Sequence, residues 1–378
     1  MPIELIGRMT ERPNSEMAPA GPGAPGIDLD WLKKMFQAQD RSDFDRVLIG
    51  ASSSRPDGWA IAQYGATVTD SLGFLVAHRP GFVAPTYAAR KGATLDHFTN
   101  GRLAIHIITG SDGDDLQRDG DASMTKPERY GRSDEFLDIM KLTWTSDRPF
   151  DYAGKHYAVT AGFSSLKPLQ EPHVPIYFAG SSPEALVVAG KHAHTWAMWS
   201  VPVAGVEQQI DALYAAAAPF GRKPGISVSF RPIMASTEEK AWERARQILE
   251  AIRLVRGGEP KAVAKSIHTQ HQVEWAEKGE IHDQRLWTGL TQVLGPASNN
   301  AALVGTPDQV VESLLAYYDA GVTTILLHGF NQYEDAVDFG RDLIPTLRAE
   351  VRLRDMRVAN AAAVDAAAQH VNSPSAAS

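Results

Sequence analysis

Short apolar, β-branched runs, each leading into an amphipathic stretch, recur along most of this chain, and that alternation restricts the folds open to it. Eight runs read as strands, near Ile3, Asp45, Leu72, Leu103, Ile176, Thr195, Ile226 and Thr323. Most are followed by a helix, as in Pro85 to His97, Ser182 to His192 and Glu238 to Val255. The run Leu103-Ala104-Ile105-His106-Ile107-Ile108 is nearly continuous in apolar residues, which suits a parallel strand covered on both faces, and His106 alone breaks it. Eight strand-helix units spread over 378 residues fit a (β/α)8 TIM barrel with insertions better than a doubly wound sheet. The expected organisation is one α/β barrel domain over 1–358, with insertions about 110–129 and 256–300, and a low-complexity tail over 359–378 that frays. A small hairpin turning at Ala153-Gly154 is also expected.

In such barrels the chemistry lies at the carboxyl ends of the strands. The residues there are Arg8 and Met9, Ser52 to Arg55, His78 and Arg79, His106 to Ser111, Gly180 to Ser182, Trp199 and Ser200, Arg231 within its strand, and His328 to Phe330. They make a polar, cationic and aromatic rim. In Tyr177-Phe178-Ala179-Gly180-Ser181-Ser182-Pro183 a buried strand passes through small residues into a helix with Ser as cap and Pro at its first position, which aims free backbone N–H groups outward. Such a turn can hold a phosphate; the same residues also make an ordinary capped helix. The long Pro- and Gly-rich loop from Thr10 to Gly26 follows the first strand.

Several classes lose ground. The net charge of -8 gives no basic surface for nucleic acid, and the absence of cysteine removes disulfides and thiolate chemistry while permitting a reducing cytoplasm, where the chain is expected. The amino terminus has no basic head and apolar run, and no window approaches about 18 uninterrupted apolar residues. The aspartates at 112, 114, 115, 119 and 121 fail the EF-hand pattern, and His268, His271 and His282 lack an H-E-x-x-H frame, so no metal is expected. No G-x-S-x-G elbow, Walker loop or G-x-G-x-x-G after the first strand occurs.

The runs AARKGATLDHFTNGRLAIHIITGSD, PERYGRSDEFLDIMKLTW, FDYAGKHYAV, PIYFAGSS and LVGTPDQVVESLLAYYDAGV, with the strand ending at Trp199, resemble in that order the bacterial luciferase-like flavin monooxygenases, most nearly the alkanesulfonate monooxygenases. The similarity spans roughly residues 30 to 350. It implies a barrel that takes reduced FMN from a separate NAD(P)H-dependent flavin reductase, uses O2 to oxidise a small-molecule substrate, and assembles as a homo-oligomer, dimer or tetramer. Gly180, Ser181, Ser182 and Tyr130 match the family's phosphate positions, and His106 and Thr109 positions beside the flavin ring. Ala77-His78 matches a strand end where relatives carry a non-proline cis peptide. Trp199, Arg231 and His106 are the expected catalytic residues, with Arg231 a charge-assisted partner for a sulfonate or peroxide anion.

The substrate half departs from the family. Where alkanesulfonate monooxygenases usually carry Asn, Cys and His, this chain has His106, Arg55 and Arg8-Met9; their His two residues after Arg231 is Ile233, the Tyr and His after the last strand are Phe330 and Gln332, and the insertion's Arg falls near Leu294. Arg8, Arg55, His328 and Phe330 are therefore the expected substrate residues, and oxidative desulfonation of an organosulfonate to aldehyde and sulfite the leading expectation. A sulfone, an amine carboxylate or an N-heterocycle as substrate, or a flavin-binding barrel without turnover, are the alternatives. The 256–300 insertion is expected to be a mobile lid hinged at Gly257-Gly258 and Gly295, with Lys261, Lys265, His268 and His271 facing an anionic substrate; a solvated loop is the bland reading.

Overall fold

The computed structural model describes residues 3–21, 23–110, 113–121, 124–257, 267–295 and 300–371. Eight parallel strands close on themselves: β1 (Glu4–Arg8), β2 (Arg46–Ile49), β3 (Gly73–His78), β4 (Leu103–Ile107), β5 (Ile176–Ala179), β6 (Thr195–Trp199), β7 (Gly225–Met234) and β8 (Thr324–Leu327). Each pairs with the next, and β8 returns to β1 through Glu4↔Thr324, Leu5↔Ile325 and Ile6↔Leu326. All eight expected strands are present and form the (β/α)8 barrel.

Side chains two apart on a strand share a face, so each strand sends one set to the surrounding helices and one set inward. The outward set, including Leu5, Val47, Phe74, Ile105, Phe178 and Val228, joins the large core under the helices. The inward set forms layers. At the amino-terminal end Glu4 accepts from Arg46 Nε at 2.8 Å and from Thr324 Oγ1 at 3.0 Å, and the Tyr177 hydroxyl also donates to it. Above lies a separate apolar plug of Ile6, Leu75, Ala104 and Tyr177, with Leu48 and Leu326 against it. The next inward positions are Arg8, His106, Trp199 and His328, which reach the carboxyl-terminal mouth.

The expected hairpin is found, Phe150–Ala153 pairing antiparallel with Ala158–Gly162. Three elements differ from expectation. β7 outruns the barrel: Gly225 to Phe230 pair with β6 or β8, whereas Arg231 to Met234 pair with an additional strand, Ala302–Gly305. That strand pairs antiparallel with Leu286–Trp287, which pairs with Ile281–His282, so the 256–300 insertion is partly sheet anchored on the barrel rim. Residues 372–378 lie outside the described residues, and over 359–371 the alanine-rich tail does not fray. It continues the helix Ile344–Val371, in keeping with alanine's helix propensity.

Candidate active site

On one side of the mouth, β5 leaves the barrel through Gly180, whose φ of 133° only glycine adopts readily and where a Cβ would lie 2.8 Å from the Tyr130 hydroxyl. That hydroxyl has no hydrogen-bond partner among the described residues. Ser182 caps the helix Pro183–His192, its Oγ accepting from Ala185 N at 3.4 Å, and Ser181 Oγ donates to Gln209 Oε1 at 3.1 Å. Trp196 Nε1 holds the turn by donating to Gly180 O at 2.7 Å. The glycine amide, two serines and a spare phenol therefore converge beside a helix N-terminus, a donor set suited to a phosphate.

Deeper in, a cavity of about 350 Å³ is bounded by small side chains on β5 to β7, namely Ala179, Ala197, Ser227 and Ser229, and by His106, Trp199 and His328. Small residues on three adjacent strands leave a slot that Leu48, Leu75 and Leu326 close from beneath. Burial pushes the His106 imidazole down to about 4, and its Nδ1 has no partner. His328 is held well below its ordinary value by burial and by Arg231 and Arg8, and its Nδ1 is also unpartnered. Both rings are neutral at physiological pH, each with a ring nitrogen left to donate or accept. A flavin phosphate at the Gly180 turn and its ring in the slot fit these residues, since the slot supplies a cradle and two orphaned imidazole atoms.

On the other side, described residues of the loop after β1, among them Glu11, Arg12 and Glu16, line with Ser52 to Pro56 a half-open polar cavity of about 730 Å³ that meets the first at Arg8 and Arg55. Arg8 is placed by its backbone: Gln39 Nε2 donates to Arg8 O at 3.1 Å, and the absence of a side chain at Gly7 admits Gln39, whose Oε1 a Cβ there would meet at 1.8 Å. Gly50 likewise admits Arg55, whose Nη2 donates to Glu11 Oε1 at 2.7 Å and to Met9 O at 3.1 Å. Arg231, fully buried over the Phe330 ring at 3.6 Å, forms a two-pronged pair with Glu16, Nη1 to Oε1 and Nη2 to Oε2 both at 3.0 Å. Burial alone would raise the Glu16 carboxyl, but Arg231 holds it below the usual carboxylate range. Burial and the Arg55 guanidinium push Arg8 down to about 10, with Arg231 adding to the effect and Glu16 opposing it, and Arg8 remains a cation at neutral pH.

Residues 13–324 match the profile of the luciferase-like monooxygenases. The chain belongs to that family. Solved structures agree with the fold: a riboflavin lyase crystallised with modified FMN and riboflavin superposes with a TM-score of 0.77 at 17% identity, over 93% of this chain and 92% of that one. The EDTA monooxygenase of Chelativorans sp. BNC1 superposes with a TM-score of 0.73 at 19% identity, over 93% and 94%. A coenzyme F420-dependent tetrahydromethanopterin reductase from Methanopyrus kandleri has a TM-score of 0.66 at 16% identity, over 92% and 100%. The fold is thus shared with a structure that holds modified FMN and with a coenzyme F420-dependent enzyme.

Within this family's barrel the expected site residues fall into three groups. Gly180, Ser181, Ser182 and Tyr130 lie at the turn, and His106, Trp199, Arg8, Arg55 and His328 line the slot. Ala77 pairs with His106 across β3 and β4, and buried Thr109 lies just past β4. Two expected residues stand back from the cavities. Phe330 is buried beneath Arg231 in a second apolar cluster with Ile233 and Trp287, and the Arg231 fork is already engaged by Glu16.

The expected cis peptide at Ala77-His78 is absent: β3 runs extended through His78, which pairs with Ile107, and among the described residues the one cis bond is Glu171-Pro172. Among the described side chains of the 110–129 segment, Asp115 pairs with Arg79 and accepts from Ser53, and Asp121 pairs with Arg132; Asp112 and the side chain of Asp114 lie outside the described residues. Gly258, Lys261 and Lys265, and the side chains of His268 and Leu294, lie outside the described residues. His282 Nε2 contacts the carbonyls of Trp275 and Gly279 at 2.9 and 3.0 Å, a structural role. Sequence reasoning missed Glu11 and Glu16, which pair with Arg55 and Arg231; the only local signal was two carboxylates in the loop leaving β1.

Proposed function

We propose that this protein is a two-component monooxygenase that uses reduced FMN from a separate NAD(P)H-dependent reductase, together with O2, to convert an organosulfonate to an aldehyde and sulfite. The observation that supports the reading is a slot that starts at Ala179, the residue before the Gly180 to Ser182 turn, and passes His106 and Trp199 to the cation Arg8. Reduced flavin, when bound, activates O2 and supplies one oxygen atom and the reducing equivalents. The turn and Tyr130 would hold its phosphate, and His106, Thr109 and Ala77 would flank its ring.

The chain's own part is orientation, proton handling and exclusion of water. Arg8 would orient the anionic group, with Arg55 beside it. His328, neutral and unpartnered at Nδ1, is suited to accept the proton released as the substrate carbon is oxidised. In the balanced reaction one oxygen atom of O2 ends on carbon, and the other leaves as water with the two hydrogens of reduced flavin. The C–S bond breaks with its electron pair departing on sulfite, and one proton is released. Sulfite released from a panel of alkanesulfonates with reductase and NADH supports the reading; no sulfite from any of them, with oxidation of reduced FMN that no sulfonate alters, contradicts it. An amine carboxylate is the second reading, favoured by the superposition on the EDTA monooxygenase. Titration with FMN and with F420 separates the cofactors, and tighter binding of F420 would overturn the flavin assignment.

A further inference from the structure

The two cavities that meet at Arg8 and Arg55 have unlike walls. Leucine, alanine and methionine side chains line much of the slot. Around the half-open cavity beyond it, Pro19 and Pro56 supply the only wholly hydrocarbon side chains among the described residues. Its polar groups are also incompletely used. The Gln332 amide has no hydrogen-bond partner among the described residues, at Oε1 or at Nε2. Asn14 Oδ1 accepts from Ala20 N at 2.8 Å, which leaves Nδ2 to donate. Ser52 and Ser54 share one hydrogen bond at 3.1 Å, so one hydroxyl hydrogen remains. Their loop is fixed by Ser53, whose N and Oγ donate to Asp115 Oδ1 at 2.8 and 2.6 Å. Glu11 receives Arg55 on Oε1 alone, so its Oε2 can accept. Arg12 spends Nη1 on the carbonyls of Ala24 and Pro25, at 3.4 and 2.8 Å, and the Arg8 side chain has no partner among the described residues. Spare donors and spare acceptors are thus mixed around one space. A hydroxyl does both, so a ligand carrying several can satisfy the two sets together. An alkyl chain there would take water from these groups and return no hydrogen bond.

We propose that the substrate is an organosulfonate on a polyhydroxylated, sugar-like skeleton, taken in preference to one on a plain alkyl chain. Its hydroxyls occupy the cavity after β1, and its sulfonate lies at Arg8, where the two cavities meet. This rests on the reading above, which fills the slot with the flavin ring and gives Arg8 the sulfonate. Gln332, Asn14, Ser52 and Ser54 then set specificity for the skeleton, and Arg8 for the head group.

Titration calorimetry of the full chain, with and without saturating FMN, compares 6-deoxy-6-sulfoglucose, 1-hexanesulfonate and methyl glucoside. The first two share chain length and sulfonate; the first and third share the hydroxylated ring. The wild type should bind the sulfosugar at least about tenfold more tightly than hexanesulfonate. Q332M and the double variant S52A/S54A should each narrow that ratio by about three- to tenfold, from hydrogen bonds lost to the hydroxyls alone. Thermal melts establish that each variant is folded, and either one carries the test. Equal or tighter binding of hexanesulfonate, a ratio unchanged in both variants, or binding of neither sulfonate would overturn the proposal. Hexanesulfonate favoured, with sulfite released from it, would do so while leaving the sulfonate reading intact. Methyl glucoside bound as tightly as the sulfosugar would overturn the sulfonate reading and still support the preference for hydroxyls.

Discussion

At the scale of single residues, the site depends on small donors at a turn and on imidazoles kept neutral. Replacing Ser181 and Ser182 with alanine should weaken FMN binding by about 1–3 kcal/mol, from hydrogen bonds lost to a charged group, and unchanged affinity in a fluorescence titration would leave the turn as a helix cap alone. Because Ser182 also caps its helix, the same variant should lose about 0.5–2 kcal/mol of stability. His106 titrates at 6.5 when unfolded and about 4 when folded. Above the unfolded value the ring is neutral in both states; as pH falls from there toward 4 the unfolded chain takes up a proton that the fold refuses, so stability drops across that window. His78 and His194, also pushed to about 4 by burial, act in the same direction. Melting temperature should therefore fall between about pH 7 and pH 5, and less steeply in H106N; identical profiles would show that His106 does not contribute. The turn was legible in the sequence because its residues are consecutive. The Arg231–Glu16 pair was not, because it joins positions 215 apart that only barrel closure brings together.

At the scale of elements, the insertion after the helix Glu238–Arg256 is what sequence patterning described least well. Its strands Ile281–His282 and Leu286–Trp287 have two residues each, too few for alternation to register, and Ala302–Gly305 is apolar throughout because it is buried. Their sheet carries Trp287, which packs edge-on to Trp242 at 6.1 Å and donates to Glu280 Oε1 at 2.9 Å, in the cluster that contains Phe330. W287A should cost about 3–5 kcal/mol and release the insertion from the rim; a denaturation midpoint unchanged from wild type would mean that the sheet is only draped there. The lid reading is tested on the same element. Trypsin cleavage between Arg256 and Arg285 should be suppressed by FMN together with a sulfonate, and equal cleavage with and without them would leave the insertion without a gating role.

At the scale of the whole molecule, the barrel was legible because burial on both faces gives parallel strands continuous apolar runs, and eight of these recur with helices between them. Its inward layers explain where chemistry can occur: an ion-paired base around Glu4, an apolar plug, then small residues on β5 to β7 that open a slot beneath a cationic mouth. The proposed flavin half reads out of local motifs, whereas the proposed substrate half is assembled from β1, β2, β7, β8 and the loop after β1, which no local pattern reports. Among the described residues no helix is long and apolar enough to cross a membrane. The most direct test of the account is sulfite measured against O2 and NADH consumed, with purified protein, a flavin reductase, FMN and a monoanionic alkanesulfonate. The account predicts sulfite formation that requires O2 and reduced FMN and is lost in R8Q. Sulfite at the level of a control lacking the protein, across the sulfonate panel, would contradict it.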